Sequence, residues 1–165
     1  HSTGRVGSLP GMGRTNGEGM TTSRATIRSA VAALLTSGLS LPSGNVMEFL
    51  PGAFRGATPV VLVLSGGSGR EPIAYALETQ PVFFLDIKTY VLMGAKDGTW
   101  GSDDTEAKLD AIEAGIAGIV QANARGALWN DMQYAGRSKV EDVMTIDGFV
   151  YRRESIPVRV ECDAE

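Results

Sequence analysis

The side chains of this sequence that are best suited to chemistry are three carboxylates at helical spacing. Glu106, Asp110 and Glu113 follow one another at steps of four and three residues, which places them on one flank of a helix. Paired carboxylates can act as a general acid and a general base in hydrolysis. The surrounding sequence gives no sign of a pocket, so we interpret the three as a solvated acidic flank.

A second candidate is the glycine-rich stretch Ser65–Arg70, which follows an apolar run. A phosphate-binding loop needs a Lys followed by Ser or Thr at the start of a long helix. Here Arg70 and Glu71 precede Pro72, so nucleotide binding is not predicted. We expect a hairpin tip over Ser65–Pro72, in which Arg70 and Glu71 offer charged side chains to an interaction partner.

The third candidate is a polar loop that carries Asp97, Asp103 and Asp104. A calcium loop needs oxygen ligands at fixed alternate positions and a terminal Glu, and this spacing does not fit. Asp103 and Asp104 are expected at the start of a helix, where the unpaired N–H groups favour negative charge. Trp100 in the same loop is predicted either to cover the core or to anchor an interface.

The composition excludes several classes of function. The only histidine is His1 and the only cysteine is Cys162, so His-based triads, His-rich metal sites and a disulfide within these 165 residues are ruled out. The net charge of −4 argues against a broad surface for nucleic-acid phosphates. No apolar run approaches the ~20 residues of a membrane helix. No cofactor is predicted.

Two amphipathic helices are predicted from apolar residues at steps of three and four. The first begins after an N-cap at Thr22 or Ser23 and ends at Gly38. The second begins near Ser102 and closes at Arg125–Gly126. Gly115 and Gly118 inside it indicate either a close approach by another element, such as a neighbouring subunit, or a tolerated exposed position. The apolar positions are Ile27, Val31, Leu34 and Leu35 in the first helix and Leu109, Ile112, Ile116, Ile119 and Val120 in the second.

The longest strand signal is Pro81–Met93, in which Leu85, Ile87, Thr89 and Val91 share one face. The simplest arrangement packs the second helix across that face. A tight turn at Asp147–Gly148 predicts a C-terminal hairpin. Further strands are predicted at Val46–Leu50, Val60–Leu64, Ile73–Leu77, Val140–Ile146 and Phe149–Glu161, and Ala127–Ser138 is predicted to be irregular.

This order of elements predicts an α+β fold with a mainly antiparallel sheet and two principal helices packed on it. Residues 1–19 are Gly-rich and aperiodic, and we expect a flexible arm or an added leader there. Met20 has the setting of a natural translation start. Residues 20–165 are therefore expected to form a single α+β domain.

From Thr22 onwards, the order of the motifs resembles the tail terminator, or tail completion, proteins of long-tailed bacteriophages. The likeness covers nearly all of the chain after the leader. It rests on an opening helix that ends in Leu34–Leu35, the run Pro59–Leu64, the strand Thr89–Val91, the helix around Leu109–Ile112, Trp129, the hairpin Asp147–Tyr151 and the final run Ile156–Val160.

The resemblance implies a non-enzymatic virion protein that forms a ring, commonly a hexamer. Such a ring caps the head-proximal end of the tail tube, stops tube polymerisation and joins the tail to the head–tail connector. Its partners would be further copies of itself, the major tail tube protein and the connector or completion protein, while genomic DNA passes through the lumen without specific binding. Assembly would take place in the host cytoplasm.

The same resemblance assigns roles to the charged candidates. The sheet and the Asp97–Asp104 loop, which includes Trp100, would meet adjacent subunits or the tube. Glu106, Asp110 or the Ser65–Glu71 stretch would face the lumen or a ring neighbour. Two other interpretations stay open: an adaptor or head-completion protein of α+β type, and a small enzyme.

Overall fold

The computed structural model describes residues 22–72, 79–93, 102–146 and 148–163. Within these ranges, each of two helices is followed by three strands. They are α1 (Arg24–Gly38), β1 (Val46–Met47), β2 (Val60–Pro72), β3 (Thr79–Leu92), α2 (Ser102–Ala122), β4 (Asp131–Tyr134), β5 (Lys139–Ile146) and β6 (Phe149–Glu161).

All six strands belong to one sheet, in the order β1-β2-β3-β6, and β4 and β5 share the far side of β6. The first pair, β1 with β2, is parallel, and every other pair is antiparallel. β4 lies beside the end of β6 and β5 beside its beginning. The predicted α+β class, the mainly antiparallel sheet and the C-terminal hairpin are confirmed.

Both helices lie on one face of the sheet and bury the main core against it. β3 supplies Leu85, Ile87 and Val91 to this face, as its alternation predicts, and the apolar stripes of the two helices pack over them. The stripe residues Ile27, Val31 and Leu35 of α1 and Leu109, Ile112, Ile116 and Val120 of α2 are all buried.

The opposite face of the sheet is only partly covered. The segment between β1 and β2 folds back over one end of this face and places Phe54 against Tyr90 and Tyr151. The three rings meet edge to face, at centroid distances from 4.8 to 6.3 Å. The rest of this face carries half-buried charged side chains in ion pairs, such as Lys88 with Asp86 and Arg159 with Glu71.

The helix ends follow the sequence signals closely. Ser23 caps α1, since its hydroxyl accepts a hydrogen bond from the Thr26 N–H at 3.1 Å. The helix ends at Gly38, where a Cβ would lie 2.5 Å from the Ile119 side chain, so Gly38 also allows close contact between the two helices. α2 begins at Ser102 and ends at Ala122, three residues before the predicted closure.

The predicted hairpin tip at Ser65–Pro72 is wrong. These residues continue β2 and pair with β3 through Pro72, opposite Thr79. A bulge between Ser65 and Gly67 interrupts the register, and Gly67 takes a φ of 113° that a residue with a side chain would rarely adopt. The strand predicted at Ile73–Leu77 lies outside the described residues.

Two further predictions need correction. Ala127–Ser138 contains the strand β4, and β1 covers only two of the residues predicted as Val46–Leu50.

Pro157 has no backbone N–H to donate, although β6 lies inside the sheet. Its carbonyl accepts a hydrogen bond from the Ala135 N–H, beyond the end of β4. The missing N–H therefore falls in the gap between β4 and β5, where no strand needs it.

Two glycines near the second helix provide a matched test of packing. A Cβ on Gly126 would lie 2.7 Å from the indole of Trp129, whereas one on Gly118 would meet nothing within 4 Å. We expect Gly126→Ala to lower the free energy of unfolding by about 1–3 kcal/mol through overpacking. Gly118→Ala should raise it by about 0.5–1 kcal/mol, because it removes a glycine from a helix interior. Chemical denaturation of both variants measures these changes, and equal signs would contradict the packing described.

Gly115 also shows what approaches the helix. A Cβ there would lie 2.8 Å from Leu39 of the same chain. The close approach predicted from this glycine is therefore made within the chain. Gly118 fits the other alternative, a tolerated exposed position.

Candidate interaction surfaces

An acidic cleft of about 360 Å³ lies between α2 and the gap that separates β4 from β5. Glu106, Asp110 and Glu113 line it from the helix, one turn apart, and Glu154 lines it from β6. The cleft therefore lies on the acidic flank, although the surrounding sequence shows no sign of a pocket. Its remaining lining residues are Leu109, Tyr134, Arg137, Ser138 and Val140.

Three of the four carboxylates in the acidic cleft have a polar partner. Glu113 accepts a hydrogen bond from the Tyr134 hydroxyl at 2.8 Å, and Glu154 accepts one from the Ser138 hydroxyl at 2.6 Å. Glu106 accepts from the Arg152 guanidinium at 2.6 Å. Because Arg152 is paired with Glu106, three carboxylates face the single lining cation Arg137, and the lining is net negative.

Glu154 is the most buried acid of the described residues, with 5% of its surface exposed. Burial raises the pKa of its carboxyl, and the nearby Glu113, Asp110 and Glu106 raise it further, against the opposing effect of the Ser138 hydrogen bond. Burial, together with Glu113, also raises the pKa of Tyr134. The acidic cleft thus disfavours negative charge at its innermost position.

Replacing Glu154 with Gln tests this electrostatic description. A carboxyl whose pKa is raised on folding stabilises the protein most below the unfolded pKa, about 4.3 for Glu, and this contribution is lost as the pH rises through the folded pKa. We expect Glu154→Gln to raise Tm by a few degrees at pH 7, because it removes a buried charge and keeps the contact with Ser138. The gain should vanish near pH 4. Thermal unfolding at both pH values measures it, and an equal shift at both would contradict the assignment.

A basic edge lies on the other side of the sheet, along the outer side of β2. β1 pairs only with Val61 and Leu62, and no other described strand lies beside the rest of β2. Arg24 of α1 reaches over this edge and donates to the Ser68 hydroxyl through two nitrogens, at 2.9 and 3.1 Å. Arg28, one helical turn further on, has a buried Nε without a hydrogen-bond partner among the described residues.

The predicted interaction residues fall in different places. Arg70 lies on the helix face of β2, over the ring of Phe83, while Glu71 points to the opposite face and pairs with Arg159 at 2.9 Å. Glu106 and Asp110 line the acidic cleft, and Asp104 is exposed on the first turn of α2. Asp97, Trp100 and the side chain of Asp103 lie outside the described residues, so their roles stay predictions.

Sequence analysis missed Glu154, Ser138, Arg24 and Arg28 as members of these surfaces. A signal for Glu154 exists: it occupies a core-face position of β6, in step with Ile156, Val158 and Val160. An acid in such a position indicates a cleft or a polar partner. Arg24 and Arg28 carry only the weaker signal of two like charges one helical turn apart.

Cys162 belongs to the core and not to either surface. It is buried, and burial raises its pKa to about 11, with a further contribution from Asp163. The thiol therefore stays protonated at neutral pH, which makes it a poor nucleophile. In the part of the chain that the structure describes, no group of three or more His, Cys, Asp or Glu residues could hold a metal ion.

Comparisons with known proteins find similar solved structures but no similar protein family or curated protein. Among solved structures, a chain of the "Virion of native gene transfer agent (GTA) particle" is similar to it, with 17% sequence identity, a TM-score of 0.48 and coverage of 83% of this chain and 86% of that one. A likeness of this size leaves the function to be argued from the chain's own residues. Neither described helix is long and apolar enough to cross a membrane.

Proposed function

We propose that this protein is a non-enzymatic structural component of a phage-type virion, a tail terminator that forms a ring on the head-proximal end of the tail tube. In this role it ends tube polymerisation, joins the tail to the head–tail connector and lets the genomic DNA pass through its lumen. The proposal specifies a homo-oligomeric ring, commonly a hexamer in the family that the sequence resembles.

The main support for this proposal is the order of the secondary-structure elements. The motifs that resemble the tail terminators run in the order helix, broken segment, long strands, helix, Trp and C-terminal hairpin. The fold has α1, the segment around β1, β2 and β3, α2, Trp129 and the β5–β6 hairpin in that order. Fold by itself does not define function, so the support lies in the agreement of this order with the motifs.

The two open edges of the sheet add support for self-assembly. A subunit of a cyclic ring needs two different contact surfaces, one for each neighbour. Here the basic edge along β2 and the side of β6 that carries β4 and β5 lie on opposite sides of one sheet.

Imaging of capped tubes tests this function. Purified tail tubes of the cognate phage would be mixed with the protein and examined by negative-stain microscopy. A density on one end of each tube, and arrest of elongation when tube subunits are added, are the expected results. Tubes that elongate at the same rate with and without the protein would overturn the proposal.

We also propose that the segment from Asp97 to Asp104 meets an adjacent subunit or the tube. Charge reversal of Asp103 and Asp104 together is expected to weaken capping, because it changes the local charge by four units. The same imaging assay measures it. Full capping by this variant would count against a role for the segment.

A further inference from the structure

The two open edges of the sheet differ in charge as well as in position. On the β2 side, the exposed Arg24 of α1 reaches the Ser68 hydroxyl of β2, and the half-buried Arg28 follows one helical turn later. Beside β4 and β5 lies the acidic cleft, with its excess of carboxylates. The chain therefore presents opposite charges on opposite sides.

Other charged side chains near the two edges do not reverse this difference in charge. At the basic edge, Glu48 accepts a hydrogen bond from Ser29, and Glu71 points to the other face and pairs with Arg159. Glu71 is thus paired within the chain, and Glu48 is a single carboxylate near the two arginines of α1. Around the acidic cleft, Arg152 is paired with Glu106, and the exposed cations Arg137 and Lys139 are fewer than the three remaining carboxylates of the lining.

We propose that the basic edge of one copy docks into the acidic cleft of the next copy. The proposal rests on the proposed function, for which it names the contact between ring neighbours. Because the two surfaces lie on opposite sides of the sheet, the contact is head-to-tail, and a bound pair still offers one free basic edge and one free acidic cleft. Repetition of one such contact builds a ring when the rotation between copies closes.

Features of the β2 edge favour a contact made by side chains over one made by backbone hydrogen bonds. The bulge between Ser65 and Gly67 breaks the regular pattern of outward N–H and C=O groups, and Pro72 lacks an N–H. Such devices prevent unlimited edge-to-edge pairing of sheets. Arginine is well suited to a contact made by side chains, because its guanidinium forms paired hydrogen bonds with carboxylates. The exposed Val140, at 45%, adds an apolar contact at the rim of the acidic cleft.

Paired charge reversals test the contact with the full chain. Arg24→Glu and Asp110→Lys alter exposed residues on opposite surfaces, and Arg125→Glu is a control of equal charge change at an exposed residue outside both. Sedimentation of each variant across a concentration series gives the strength of self-association. We expect at least a tenfold weakening for each of the first two variants and less than a twofold change for Arg125→Glu.

Mixing the two weakened variants provides the sharper readout. Each variant supplies the unchanged surface that the other has lost. Where the two substituted surfaces meet, the new side chains carry opposite charges and attract each other. An equimolar mixture should therefore recover association that neither variant shows alone. Circular dichroism of each variant confirms that the fold is kept.

The outcome separates the contact from the function. Rings that form equally well in Arg24→Glu and Asp110→Lys would overturn the docking proposal and leave the tail terminator role standing. Weakened variants that do not recover on mixing would also overturn it. Mutual rescue in a protein that never caps tubes would support the contact and contradict the function.

Discussion

Trp129→Ala is expected to lower the free energy of unfolding by about 3–5 kcal/mol, the usual cost of removing a large buried aromatic ring. Trp129 is only 6% exposed and belongs to the main core. Its indole N–H donates to the carbonyl of Asn123 at 2.9 Å, and its own carbonyl accepts from Gly126. The ring thus joins the end of α2 to the start of β4, and denaturant titration measures its contribution.

Trp129→Phe serves as the control for that experiment. It keeps much of the apolar ring and loses the N–H, so a smaller loss of about 1–3 kcal/mol is expected, since the Asn123 carbonyl is left without this donor. A loss below about 1 kcal/mol for Trp129→Ala would contradict the buried position of the indole.

Tyr151→Ala is expected to have an effect of similar size, about 3–5 kcal/mol, on the other face of the sheet. Tyr151 is fully buried, and its ring meets Phe54 and Tyr90 edge to face. Its hydroxyl donates to the carbonyl of Ala57 at 2.9 Å, which holds the segment between β1 and β2 against the sheet. Loss of the ring should therefore release that segment as well as open a cavity.

Tyr151→Phe separates the ring from the hydroxyl. This variant should lose about 0.5–1.5 kcal/mol, the net value of one hydrogen bond. Limited proteolysis of residues 48–57 gives a second readout, with faster cleavage in Tyr151→Ala than in Tyr151→Phe. Equal stability losses in the two variants would show that the ring packing contributes nothing.

The elements governed by local pattern could be predicted from the sequence. The stripe of α2, the N-cap at Ser23 and the hairpin with Gly148 at a φ of 78° follow from periodicity, capping and turn chemistry within a few residues. The core face of β3 follows from strict alternation of side chains. Each of these features depends on neighbours in sequence, which is why composition and spacing suffice.

The parts that depend on distant partners could not be predicted. Ser65–Pro72 is rich in glycine, yet it forms a strand because β3 supplies a ladder of hydrogen bonds along its whole length. Tyr90 lies on the face of β3 away from the helices, where Phe54 and Tyr151, each more than 30 residues away, cover it. At such positions, contacts with residues distant in sequence outweigh the intrinsic secondary-structure propensity of the segment.

The acidic cleft combines a part that could be predicted from the sequence with a part that could not. The spacing of Glu106, Asp110 and Glu113 predicted a common flank of α2, and the structure places all three there. The cleft itself forms because β4 and β5 leave a gap beside β6, opposite that flank. Nothing in the local sequence of α2 encodes that gap.

Mass measurement of the protein with and without cognate tail tubes tests the central claim, a closed ring that caps the tube, most directly. Chains of 17.4 kDa should associate into one species of fixed subunit number, either free in solution or bound at one end of each tube, with no larger species as the concentration rises. The tubes are part of the measurement because they offer a template for ring closure. A protein that remains monomeric at all concentrations and ignores tube ends would contradict the claim.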